Sequence, residues 1–136
     1  MPDFDFIFTC YALQGREVLT FTDPVKWAEY CVAQGDAYTR HVADTVVGDV
    51  RVSTVLLPSA PFSFNPDRPS IFETMAFTTD GEVLDTIARY ATYDEAEQGH
   101  ALAVSSLQLL ETESIEVSRA MLAILRSGIQ SSRVKK

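Results

Sequence analysis

Histidine and cysteine are scarce in this 136-residue chain, which holds only His41 and His100, Cys10 and Cys31. Two cysteines cannot build a disulfide framework, and the pair falls short of the four ligands of a structural zinc site. A reducing, cytoplasmic setting is the expectation. Glycine is also sparse, with 6 residues, and none of them forms a phosphate-binding loop, a dinucleotide fingerprint or a Gly-x-Ser-x-Gly elbow. Conventional kinases, dehydrogenases and serine hydrolases are therefore excluded as first readings, and no cofactor is implied. Basic residues are outnumbered, 11 against 19 acidic, for a formal charge of -8 and a pI near 4.6. The averaged field repels phosphate backbones and anionic lipid, so direct nucleic-acid and membrane binding are disfavoured. Long apolar runs are missing, and Met1-Pro2-Asp3 offers no basic leader, so neither secretion nor membrane spanning is expected.

What is present suits a folded domain. Hydrophobic residues make up 46% and charged residues 22%, the balance of a globular chain long enough to bury its own core. We expect a single domain over 1–136. Phe4, Phe6, Phe8 and Cys10 alternate with Asp3, Asp5, Ile7 and Thr9, the period of a strand with one apolar face. Gln14-Gly15 and Val18–Phe21 complete a hairpin. Asp23-Pro24 is a helix start, capped by the carboxylate and begun by proline, and the helix runs to Ala33 with Gly35 beyond it. Trp27, Tyr30, Cys31 and Gln34 share one side of it, with Trp27 as the anchor.

His41–Val47 and Val50–Leu57, joined by Gly48-Asp49, read as a second hairpin. Pro58, Pro61, Pro66 and Pro69 then rule out a strand and mark a long loop that contains Phe62 and Phe64. Ile71–Phe77 and Val83–Ala91 are the next two strands, the start of the latter being open between strand, loop and helical turn. Thr92-Tyr93-Asp94-Glu95 is a capping box. The helix it opens carries Ala96, Gly99, His100, Ala103, Leu107 and Leu110 as an apolar stripe. A further helix over 112–130 has Val117, Ala120, Met121, Ile124 and Leu125 at core spacing, Gly128 as its cap, and a flexible tail at 131–136. The predicted architecture is α+β: a mainly antiparallel sheet, an N-terminal hairpin and helix, and one or two C-terminal helices packed on the sheet.

Five motifs stand in order: Val50-Arg51-Val52-Ser53-Thr54-Val55, Ile71-Phe72-Glu73-Thr74-Met75, Arg89-Tyr90-Ala91-Thr92, Asp94-Glu95-Ala96 and Gly99-His100. Their order and spacing resemble a family of small uncharacterised proteins of bacteriophages and actinobacteria. The resemblance spans Tyr11 to Val104. It departs at the proline-rich loop, where the family has glycines, and at Thr78-Thr79, where it has a double glycine. It implies a phage or phage-derived origin and carries no activity with it.

Glu97 and His100 make one Glu-x-x-His pair, half of a di-iron ligand pattern whose other half is missing. An ordinary helix-face histidine is the stronger reading, and no metal is expected. The remaining candidates for contact with a ligand or partner are Arg51, Glu73, Arg89, Tyr90 and His100. If Arg51, Glu73 and Arg89 share a sheet face, their forked groups could hold a polar, nucleotide-like ligand; the competing reading is a cross-strand ion pair. An unfamiliar enzyme site around Glu73, Tyr90 and His100 is a third possibility. Phe62, Phe64, Arg119, Leu122 and Arg126 are candidates for an interaction surface, the last three on a C-terminal helix that could also support a homo-oligomer. The favoured expectation is a non-enzymatic protein that binds another protein and inhibits a host (defence) system.

Overall fold

The computed structural model describes residues 9–35, 40–59, 67–110 and 115–134. Strand β1 (Cys10–Gln14) pairs antiparallel with β2 (Glu17–Phe21), and helix α1 (Pro24–Gln34) follows. The alternation at Phe4, Phe6 and Phe8 lies outside the described residues. A four-stranded antiparallel sheet comes next, in the order β3 (His41–Val47), β4 (Val50–Leu56), β5 (Phe72–Thr78) and β6 (Val83–Tyr90). Helices α2 (Tyr93–Leu110) and α3 (Ile115–Val134) complete an α+β fold. No described helix is long and apolar enough to cross a membrane.

The local reasons are those the sequence supplies. Asp23 caps α1 by accepting from the Val25 amide at 2.9 Å, with Pro24 at the first helical position, so the orphan donors of the first turn are met. Val47 pairs with Val50, leaving Gly48-Asp49 as the two-residue connection, and Gly48 has φ 58°, as such turns require. At the start of α2 the Thr92 hydroxyl accepts from the Glu95 amide at 3.1 Å and donates to the Glu95 carboxylate. That carboxylate also pairs with Arg68. The start of β6, open between strand, loop and helical turn in the sequence, is strand from Val83 onward.

The two faces of the large sheet differ in what they meet. One face carries Val50, Val52, Thr54 and Leu56 from β4 and Phe72, Thr74 and Ala76 from β5, all buried. Ala96, His100, Ala103 and Leu107 of α2 are buried with them, and α2 touches all four strands. The period of two in the strands and the helical spacing in α2 thus converge on one core. The small hairpin joins it through Tyr11 and Leu13. Its turn is clamped by Arg16, which lies 4.3 Å over the Tyr93 ring and pairs with Asp94 and Glu97 at the first turns of α2.

Helix α3 packs on β6 and α2, but only in part with the stripe read from its sequence. Ser118 and Leu122 are buried, and Ile115 and Leu125 pack on the core, whereas Ile124 is 68% exposed. Leu122, expected on an interaction surface, is 0% exposed and belongs to the core. Both faces of this helix are apolar enough to satisfy the same spacing, and contact with β6 selects between them. Strand β6 is bulged beside Thr74 and Ala76 of its partner. Leu84 and Ile87, skipped by the pairing there, are buried. The helix also continues through Gly128 to Val134, so Gly128 is not its cap and 131–134 is not tail.

Candidate functional site

His100 is the polar centre of the core. It stands on the inner face of α2 at 5% exposure, and each ring nitrogen meets a threonine hydroxyl of the sheet. Nε2 lies 2.9 Å from Thr45 Oγ1 of β3, and Nδ1 lies 2.8 Å from Thr54 Oγ1 of β4. Thr54 Oγ1 is in turn 2.6 Å from Thr74 Oγ1 of β5. A neutral imidazole has one donor and one acceptor, and each hydroxyl can do both. Either tautomer therefore completes all three bonds, by reversing the direction of the chain. Burial pushes the His100 pKa down from its ordinary 6.5, and the Asp44 carboxylate opposes the shift.

A hydroxyl hydrogen-bonded to an imidazole is half of a nucleophilic site. Here the Thr54 hydroxyl is sealed, since Thr54 and Thr74 are 0% exposed, while Thr45 is half-buried. The network's physical effect is to tie three neighbouring strands and one helix together with fully partnered polar groups, which fixes register at little cost.

Tyr90 has a related task. A Cβ built on Gly99 would overlap Cε1, Cζ and the hydroxyl of Tyr90, so the ring lies directly on the helix backbone and only glycine fits beneath it. Tyr90 and Gly99 are both buried. The last strand is thereby seated on the helix that follows it.

Arg51, Glu73 and Arg89 stand on the opposite face of the sheet, as the register Val55↔Glu73↔Arg89 and Val46↔Arg51↔Phe77 requires. They do share that face, yet they belong to two separate pairs. Arg89 Nε is 2.8 Å from the buried Glu73 carboxylate. Arg51 Nε is 3.4 Å from Asp44, with its guanidinium 5.1 Å from the centre of the Phe77 ring. The cross-strand ion pair is the arrangement observed, and the sheet itself separates Glu73 from Tyr90 and His100, which removes a common site for those three.

The outward face has its own pattern. Register places Val46, Arg51, Phe77 and Val83 in one row across all four strands. Val46 and Val83 at its ends are 59% and 53% exposed, and Arg51 and Phe77 between them are half-buried. Exposed Asp49, Asp80 and Glu82 rim this row at the adjoining turns, with Asp44 beside it. Thr78 donates to Asp80, holding that carboxyl below the usual range, and its hydroxyl accepts from the Glu82 amide at 3.0 Å.

Of the other surface candidates, Arg119 is exposed on α3. Arg126 is not on the same free face, because it pairs with Asp85 of β6. Phe62 and Phe64 lie outside the described residues. Among the described residues, no group of three or more His, Cys, Asp or Glu side chains is placed to hold a metal ion.

Thr45 and Thr54 escaped the reading of the sequence as site residues, though a signal for the network exists. Thr54 interrupts the inward series Val50, Val52, Leu56, and Thr74 interrupts Phe72, Ala76, while His100 interrupts the apolar stripe of α2. Polar groups at core positions on three elements require one another as partners. Compared with protein-family models, curated proteins and solved structures, the chain matches none of them.

Proposed function

We propose that this chain is a non-enzymatic protein-binding module that docks through the Val46–Arg51–Phe77–Val83 row. The observation that carries the reading is the row itself. Where the outward face of an antiparallel sheet meets water it normally carries polar residues, whereas this row sets two exposed valines around an arginine stacked on an aromatic ring. Arginine and aromatic residues flanked by apolar neighbours are the usual composition of an interface centre. The acidic rim from Asp44, Asp49, Asp80 and Glu82, on a chain of net charge -8, selects a folded partner with a basic surround and an apolar centre.

The resemblance of the strand and helix motifs to phage proteins supports a bacterial host protein as that partner, with inhibition by occupancy as the outcome. Closure of the Thr54–His100 pair within the core supports binding over catalysis. The engagement of Arg51 and Arg89 by carboxylates weighs against their use as free anion contacts.

Tagged wild-type chain and a Val46→Glu/Val83→Lys variant, shown by circular dichroism and thermal melting to be equally folded, are used to capture proteins from bacterial lysate. A host protein retained by the wild type and lost from the variant is the expected result. Equal retention by both, or retention of nothing by the wild type, overturns the reading.

A further inference from the structure

We propose that Cys10 and Cys31 are a redox-responsive pair, which a low-molecular-weight disulfide such as glutathione disulfide converts into an intramolecular bond stapling β1 to α1. The placement follows from the two faces of the small hairpin. Tyr11, Leu13 and Val18 face the main core. Cys10, Ala12, Leu19 and Phe21 therefore occupy the other face, since Cys10 pairs with Phe21 and Ala12 with Leu19. That face is the one α1 covers. The Phe21 and Tyr30 rings pack with centroids 5.7 Å apart, and Trp27 Nε1 donates to Tyr11 O at 2.9 Å. Tyr30 Oη donates to Leu13 O at 3.1 Å.

Cys31 follows Tyr30 and lies one helical turn beyond Trp27, on the side of α1 that these contacts hold against the hairpin. The only two sulfhydryls of the chain are thus set on facing surfaces of adjacent elements. Neither is in a disulfide, and both are half-buried, within reach of a small oxidant. Their proximity is also felt electrostatically: burial first, and then the Cys31 charge, push the Cys10 thiol up.

The chemistry balances with one equivalent of oxidant. The Cys31 thiolate attacks a sulfur of glutathione disulfide, forming a mixed disulfide and releasing one glutathione. The Cys10 thiolate then attacks the Cys31 sulfur and releases the second. The chain loses two electrons, the oxidant gains them, and the two thiol protons leave with the two glutathiones. Such bonds in a reducing compartment are transient and regulatory rather than structural. Helix α1 is suited to that control, because none of its residues is fully buried, so its docking depends on few contacts and the closed loop from Cys10 to Cys31 tightens it.

The test takes the full chain through a series of reduced and oxidised glutathione ratios, followed by alkylation, intact mass, peptide mapping and amide hydrogen exchange. The expected product is a monomer lighter by two hydrogens, with Cys10 linked to Cys31. Its exchange in α1 should slow by about tenfold or more, as loop closure by a disulfide implies, while α2 is unchanged. Cys10→Ser and Cys31→Ser chains should each stop at a glutathione adduct without added protection. Glutathione adducts alone, linked dimers alone, or no oxidation in the wild type overturns the proposal, whether or not either variant folds.

Discussion

Thr54 Oγ1 touches Thr74 Oγ1 and His100 Nδ1 at once, at 2.6 and 2.8 Å, so one hydroxyl of β4 closes the connection from β5 to α2. Replacing it with an isosteric methyl in Thr54→Val orphans a nitrogen and a hydroxyl among buried side chains. Each orphaned group costs about 1–3 kcal/mol, so urea denaturation should show a loss of roughly 2–6 kcal/mol. Thr54→Ser keeps the oxygen and should lose markedly less. Equal losses in the two variants would mean that packing, and not the network, holds this site.

The buried imidazole makes stability depend on pH. Burial favours neutral His100 and sets its folded-state pKa below the ordinary 6.5, so the unfolded chain takes up the proton first as pH falls. The contribution is complete above about 6.5 and is lost as pH drops from there through the folded-state value. Isothermal denaturation from about pH 8 to about pH 5 should show this decline in the wild type, and His100→Gln should lack it. Parallel curves for the two chains would exclude His100 as the group responsible.

Gly99→Ala drives a methyl into the Tyr90 ring. Overpacking of this kind costs about 1–3 kcal/mol, and the melting temperature should fall accordingly. Tyr90→Leu in the same chain removes the obstruction and should recover part of the loss. A Gly99→Ala chain as stable as the wild type would show that the ring can move aside freely.

The orientation of α3 is tested by two truncations. Leu122→Ala opens a cavity in the core and should cost about 2–4 kcal/mol. Ile124→Ala, on the exposed side, should change stability by less than about 0.5 kcal/mol. The reverse ranking would restore the face that helical spacing alone suggested.

Most of the fold was legible because the strands of the large sheet announce themselves locally. Val50–Leu56 and Phe72–Thr78 alternate, Gly48-Asp49 marks a turn, and Thr92 with Glu95 marks a helix start. The α3 face was not legible, since Leu122 and Ile124 are equally apolar and only the partner strand decides which is covered. The candidate residues were legible as a set and misleading as a site. Arg51, Glu73 and Arg89 can be placed relative to one another only through register, a property of pairing that no single strand carries. Tyr90 and His100 drew notice as polar residues in apolar surroundings, and Gly99 and the threonines explain why they are there.

The sheet works as a partition between two kinds of information. The hydroxyl–imidazole chain of Thr45, Thr54, Thr74 and His100 lies on the side of α2, while the Val46–Arg51–Phe77–Val83 row lies on the other. Substitutions in that row leave the register-setting bonds intact, so the outer surface can be rewritten for a new target while the inner one goes on specifying the same fold. A library randomised at Val46, Arg51, Phe77 and Val83 would inherit a scaffold whose strand pairing is already locked from behind.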